Sequence, residues 1–195
     1  MKLRWIILFL IPFTLVAAPK KKKLPDWYAV KEWTTYYSRY YRLPLDVIYR
    51  VTENESGWKI DSLDTKYKAC EQIGKAHELG PMQLKIKTAR AVRQDPGLTE
   101  YRLLHDIRYN IQTGCMLLVQ EQEYWRDHDT TTLKGVKDWN HMWMMTTTSY
   151  NLGRKGAIKW DKPNRYAEKA FKKKPGTVTD TLQGKLRKVK KHAKG

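Results

Sequence analysis

Val51-Thr52-Glu53-Asn54-Glu55-Ser56-Gly57-Trp58 is the stretch on which the fold turns. Just upstream, Leu43-Pro44-Leu45-Asp46-Val47-Ile48-Tyr49-Arg50 has a proline where a first helical turn tolerates one and an acid close behind, so the spacing predicts a helix opening near Pro44. At about 100° per residue, Glu55 falls roughly 20° from the direction of Ile48 and roughly 40° from Val51. It therefore sits on the apolar stripe, while Glu53 points the other way, and Ser56-Gly57 stops the helix. A carboxyl on the core face of a helix end either costs stability for nothing or has a chemical role.

Working outward, Leu24 to Tyr41 carries Trp27, Tyr28, Trp33, Tyr36, Tyr37, Tyr40 and Tyr41, and the spacing of 33, 36, 37 and 40 predicts a helix whose aromatics mostly pack. Residues 59–79 lack periodicity and read as a long surface loop. Gly80-Pro81-Met82-Gln83-Leu84 leads into a short helix from Lys85 to Arg93, with Ile86, Ala89 and Val92 at steps of three, ended by Asp95-Pro96-Gly97. From Tyr101 a further helical pattern runs through Leu103, Leu104, Ile107, Ile111, Cys115 and Leu118. Gly114 inside it costs roughly 1 kcal/mol against alanine and so anticipates close approach of another helix. Residues 121–137 are charged and threonine-rich, a connection in which Asp127-His128-Asp129 reads as solvated loop, because three adjacent residues do not share a helix face or close a metal shell. Trp139, Trp143, Thr146 and Tyr150 then share one helix side, with Met142, Met144 and Met145 as core filler and Asn151-Leu152-Gly153 as the stop. No run alternates with period two. The fold class expected is mainly α, as one domain with extensions.

The formal charge of +18 would suggest a polyanion partner. Yet the first 23 residues carry six Lys/Arg and no acid, and the last 24 carry nine against Asp180 alone, so +14 of the total lies in the ends. That distribution argues against a nucleic-acid-binding core; the basic tail reads first as a solvated, flexible end, with contact to anionic envelope polymers or a membrane surface as the alternative. Met1-Lys2-Leu3-Arg4 followed by the apolar run from Trp5 to Ala18 matches an export signal over 1–18, either cleaved or kept as a short anchor, and places the protein in the periplasm or cell envelope. Residues 19–36 form a basic and aromatic lead-in, 37–171 the globular domain, and 172–195 a basic tail. Cys70 and Cys115 are compatible with one disulfide, closing a loop worth about 4 kcal/mol, or with two unpaired thiols. Neither has a partner at metal-ligand spacing, so no metal and no cofactor is expected.

Taken together, Glu55-Ser56-Gly57-Trp58, Gly80-Pro81-Met82-Gln83-Leu84 with Thr88-Ala89-Arg90, Asn110 to Gly114, Tyr150-Asn151-Leu152-Gly153 with Gly156-Ala157 and Trp160, and then Tyr166, resemble in their order the soluble-lytic-type lytic transglycosylases, the SLT domains of glycoside hydrolase family 23. The resemblance covers roughly 37–171 and implies a lysozyme-like fold. The chain departs from the family at Pro81, where an aliphatic residue is usual, and in a longer segment between Trp58 and Gly80.

Glycosidases usually need two carboxylates, and no partner for Glu55 stands out: Glu53 faces away, and Asp61 and Asp64 fall in the variable-looking loop. The mechanism that the resemblance implies needs only one. Glu55 protonates the bond between N-acetylmuramic acid and N-acetylglucosamine in peptidoglycan strands, the substrate's acetamido group stabilises the cation, and Glu55 then acts as base on the C6 hydroxyl to give a 1,6-anhydro end. By the same resemblance, Tyr150 places its hydroxyl near Glu55, Ser56, Met82, Gln83 and Asn151 line the sugar subsites, and Tyr166 adds an aromatic edge. The rival readings are a lysozyme-type muramidase on the same scaffold and a non-catalytic cationic binder of cell wall or nucleic acid.

Overall fold

The computed structural model describes residues 25–60, 66–132, 139–160 and 162–171, with the side chains of 129–132, 139–140 and 170–171 left aside. The readings made for 1–24, for Asp61 and Asp64, for 133–138 and for the tail from Lys172 lie outside these residues. Among the described residues eight α-helices follow in order: α1 Asp26–Tyr41, α2 Leu45–Ser56, α3 Ile86–Arg93, α4 Glu100–His105, α5 Ile107–Thr132, α6 Trp139–Leu152, α7 Arg154–Trp160 and α8 Arg165–Phe171. Among the described residues β-structure is limited to two isolated bridges, Ile73 with Leu79 and Leu79 with Leu84. The mainly α expectation holds.

The helix carrying Glu55 forms as its sequence dictates. The carbonyl of Pro44 accepts from the amides of Val47 and Ile48 to open α2, and Gly57 closes it in the left-handed region at φ 70° with its amide on the Glu53 carbonyl. Val47, Ile48 and Val51 are fully or almost fully buried. Trp58, 1 % exposed, then pins the helix end: its ring lies 5.5 Å from that of Tyr49 and 6.1 Å from that of Trp27, and its Nε1 donates to the Trp27 carbonyl at 3.3 Å. Trp27 returns a bond to the Lys59 carbonyl at 2.8 Å. The end of α2 is therefore held from both sides by indole rings on α1 and the following loop.

α5 is the central strut, packed against α1, α3, α4 and α6. It departs from the sequence reading at both ends. The pattern starting at Tyr101 is two helices, because Asp106 breaks the chain direction and caps α5, its Oδ1 accepting from the amide of Tyr109 at 2.9 Å. At the other end α5 continues to Thr132, so Asp127 and His128 stand on a helix and not on a loop. Trp125, nearly buried, ties this extension to α6 through Nε1 to Ser149 Oγ at 2.6 Å. Gly114 has the close neighbour anticipated, but it is a side chain: a Cβ there would stand 2.6 to 2.9 Å from three atoms of Met82. α6 runs through the core with Thr146, Thr147 and Thr148 buried, each hydroxyl satisfied on a carbonyl one turn back.

Two further findings concern the start of the domain and the cysteines. α1 is one continuous helix with Trp27, Val30 and Tyr37 in the core, so the boundary placed between 36 and 37 falls inside an integral element. Cys70 and Cys115 are not bridged: Cys115 is buried on α5, while Cys70 sits on the 3-10 turn Ala69–Glu71 with its Sγ 3.9 Å from the His105 carbonyl.

Candidate active site

Glu55 opens onto a groove of about 710 Å³ whose walls include Glu78, Gln83, Glu121, Tyr150, Asn151 and Arg154. The carboxyl is half-buried, and burial is the main reason its pKa is pushed up to about 7. The Tyr166 hydroxyl donates to Glu55 Oε1 at 2.7 Å and pulls in the opposite direction; the charge of Glu78 adds to the rise. Burial likewise drives the hydroxyls of Tyr150 and Tyr166 well above their ordinary value, so both remain proton donors. The arrangement is a carboxyl that can keep its proton near neutrality, oriented by a phenol, in a cleft open to solvent. Such a group can give a proton and take one back.

Both tyrosines stand near the acid, but they bond to different partners. Tyr150, on α6, lines the groove near Glu55, yet its hydroxyl donates to the Met82 carbonyl at 2.7 Å. Tyr166 is the residue that touches the acid, because α8 crosses over α2. α8 is set in that position by Asn164: its Oδ1 accepts from the amide of Ala167 at 2.9 Å, its own amide donates to Thr148 Oγ1 at 3.1 Å, and its Nδ2 donates to Asn151 Oδ1 at 3.1 Å. An asparagine directly before a helical stretch is a capping signal, and Asn164 was legible on that ground.

The remaining site residues separate into walls and supports. Gln83 lines the groove, with its Nε2 satisfied by the carbonyls of Gly80 at 2.8 Å and Gln72 at 3.2 Å, so this amide is held in place by the backbone. Asn151 also lines the groove and is exposed there. Met82 is wholly buried under Gly114 with Thr52 Oγ1 donating to its sulfur at 3.1 Å; it underlies the groove and does not face it. Ser56 turns away, its hydroxyl donating to the Thr52 carbonyl at 3.0 Å and accepting from Tyr67 at 2.9 Å.

Pro81 fits its place. The Gln83 amide donates to the Gly80 carbonyl at 3.0 Å, closing a turn in which Pro81 is the second residue and needs no donor of its own. Gln83 takes the left-handed region at φ 45°, and Leu79 and Leu84 exchange amide bonds across the base of the turn. Asn110, fully buried on α5, clamps the whole device: its Oδ1 accepts from the Met82 amide at 3.0 Å, and its Nδ2 donates to the carbonyls of Leu79 at 2.8 Å and Leu103 at 3.0 Å.

Two groove carboxylates escaped the sequence. Glu121 on α5 is buried and paired with Arg154, both oxygens engaged at 3.0 and 3.1 Å, so its charge is spoken for. Glu78 lies in the aperiodic segment, where Gly74 lets the chain fold tightly enough for the Glu78 and Gln83 side chains to meet it. Its Oε2 accepts from the Ala76 amide at 3.0 Å and its Oε1 lies 3.6 Å from Lys85 Nζ. No periodicity marks such a residue; only the folded loop brings it to the groove.

The sequence model of the transglycosylase SLT domain matches residues 33–173. The chain belongs to this family. No curated protein and no solved structure gives a match. The SLT match spans α1 from Trp33 through α8, so it contains Glu55, the Gly80–Gln83 turn, Asn110, Tyr150 and Tyr166 in one unit. The groove is that of a transglycosylase-type domain directed at peptidoglycan.

Proposed function

We propose that this SLT domain is a lytic transglycosylase in which Glu55 acts first as acid and then as base. The Glu55 proton passes to the glycosidic oxygen as the bond from C1 of N-acetylmuramic acid breaks. The acetamido oxygen closes on C1. The Glu55 carboxylate then removes the proton of the C6 hydroxyl, and O6 displaces the acetamido oxygen to leave a 1,6-anhydro ring with no water consumed. The feature that supports this reading is a carboxyl whose pKa burial pushes up to about 7 and that accepts a 2.7 Å hydrogen bond from Tyr166 inside the groove. Export to the cell envelope, supported by the apolar run from Trp5 to Ala18, brings the enzyme to its polymer, and the basic ends favour anionic envelope surfaces.

Purified sacculi provide the test. Mass analysis of the products should show anhydro ends, with no ¹⁸O taken up from labelled water. One observation favours the muramidase reading instead: Glu78 supplies the second groove carboxylate that a hydrolytic water would need. Reducing ends carrying ¹⁸O, and their loss in Glu78→Gln, would establish hydrolysis and end the anhydro mechanism.

Tyr166→Phe distinguishes the proposed orienting hydroxyl from a passive wall. The bond from Tyr166 favours the ionised carboxyl, so its removal raises the Glu55 pKa further. The alkaline limb of kcat/KM should move to higher pH while the plateau falls, by about tenfold to a hundredfold, as the carboxyl loses its orientation. A limb that stays in place would show that Tyr166 does not act through Glu55.

A further inference from the structure

We infer that the outward face of α1 is a second glycan-binding platform, on which an acidic, peptide-bearing stretch of peptidoglycan lies outside the catalytic groove. The inference rests on the peptidoglycan reading of the groove and on the way α1 arranges its aromatic residues. Trp33, Tyr37 and Tyr41 form an inner row, each ring nearly parallel to the next at 6.0 and 5.9 Å. α5 holds this row from below: Arg108 lies over Trp33 at 4.9 Å and its Nε donates to the Tyr37 hydroxyl at 3.1 Å, and Gln112 donates to the Tyr41 hydroxyl at 3.3 Å.

Tyr36 and Tyr40 form an outer row at 6.2 Å with planes 16° apart. Their rings meet the inner row edge to face, Tyr36 on Tyr37 at 5.0 Å and Tyr40 on Tyr41 at 4.8 Å. They are nonetheless 49 % and 64 % exposed, and Tyr28, two turns earlier on the same face, is 47 % exposed. The rings of Tyr36 and Tyr40 are fixed by their aromatic neighbours yet keep about half or more of their surface exposed. An aromatic surface set in advance loses little freedom when a ligand stacks on it.

The face is open and mixed in chemistry. A depression of about 710 Å³, as large as the groove, is lined by these three tyrosines together with Lys31, Glu32 and Arg39. From Tyr28 to Tyr40 the helix rises about 18 Å, room for a run of sugar rings and not a single one. A pyranose offers a C–H face to stack on a phenol ring and a rim of hydroxyl and acetamido groups for charged side chains between the rings. The lactyl and peptide carboxylates of peptidoglycan match the two cations, which outnumber the one acid. A bilayer suits this surface poorly, because a membrane-lying helix presents a continuous apolar face, and here Lys31, Glu32 and Arg39 interrupt it.

The full chain carrying Glu55→Gln, titrated against insoluble sacculi, tests the platform. Adding Tyr36→Ala and Tyr40→Ala should weaken retention by at least about tenfold. Lys31→Glu with Arg39→Glu, which leaves both aromatic rows untouched, should weaken it as well. With Glu55 restored, both sets should turn over a short soluble glycan fragment at the unsubstituted rate. Retention indifferent to both sets overturns the platform, as does loss of short-fragment turnover in both, since the face would then only support the fold. Loss of binding to anionic phospholipid vesicles with sacculus retention intact also overturns it, in favour of a membrane face. If the unsubstituted chain cleaves sacculi while retention ignores the substitutions, only the platform falls; if it neither cleaves nor binds them, the functional reading falls too.

Discussion

Glu55→Gln is expected to lower glycan cleavage by roughly a thousandfold or more, because the amide can neither give nor accept the proton that both chemical steps require. The same change should make the folded protein more stable in alkaline solution. The folded-state pKa is raised from 4.5 to about 7 by burial. A raised pKa means the folded state binds the proton more tightly, so this contribution is complete below about pH 4.5 and is progressively lost as pH climbs to about 7 and past it. At pH 8 the wild-type chain holds a partly buried carboxylate at a cost of at most on the order of 3 kcal/mol, which glutamine does not incur. Denaturation curves of the two proteins should therefore separate progressively between about pH 4.5 and about pH 7, stay apart by a constant margin at higher pH, and come together near pH 4, with a native circular dichroism spectrum for both. Undiminished cleavage by Glu55→Gln would remove it from the mechanism, and a variant less stable than wild type at pH 8 would contradict the burial that raises its pKa.

That one residue can be both the chemical centre and a source of instability was legible in the sequence, since helical period and the Gly57 stop alone place Glu55 on the core side of a helix end. The mainly α class was legible for the same reason: long segments repeat at steps of three and four, and nothing alternates. What the sequence hid depends on how helices cross. Tyr150 and Tyr166 both lie on apolar helix faces, and which hydroxyl reaches the acid is decided by the passage of α8 over α2 and by the Asn164 cap, both tertiary facts. Met82 and Gln83 are neighbours in one turn, yet the αL backbone at Gln83 sends one side chain under Gly114 and the other into the groove. Glu78 had no signal at all, which is why a search for a second carboxylate stopped at Glu53, Asp61 and Asp64. The run from residue 121 to Thr132 looked like a connection because, of its described side chains, only Glu121 and Trp125 are buried, too sparse an apolar stripe to read.

The largest loss of stability is expected at a residue that touches neither glycan nor acid. Asn110→Ala removes one acceptor and two donor bonds from a site with no exposure, leaving the Met82 amide and the Leu103 carbonyl without their partner and the Leu79 carbonyl with the Leu84 amide alone. Each orphaned buried group costs about 1 to 3 kcal/mol, and a small cavity adds to this, so a total of roughly 3 to 5 kcal/mol is expected, a large share of the ~5 to 15 kcal/mol that holds a domain together. The replacement cannot be rescued by filling the space from the other side. Gly80 sits at φ 73° and a Cβ on it would overlap the Asn110 amide, so Gly80→Ala trades one fault for another and should itself be strongly destabilising. Asn110→Asp separates shape from chemistry: it keeps the acceptor for Met82 but turns an oxygen on two carbonyls, so it should fold best in acid, where the carboxyl carries a proton and can donate. Denaturant midpoints at pH 5 and pH 8 check all three variants. Because Asn110 also fixes the turn whose Met82 carbonyl receives the Tyr150 hydroxyl, any Asn110→Ala protein that remains folded should still cleave poorly. A loss under about 1 kcal/mol with normal cleavage would mean that the turn is held by its own backbone bonds, and that the clamp is an ornament of the fold and not the reason the groove keeps its shape.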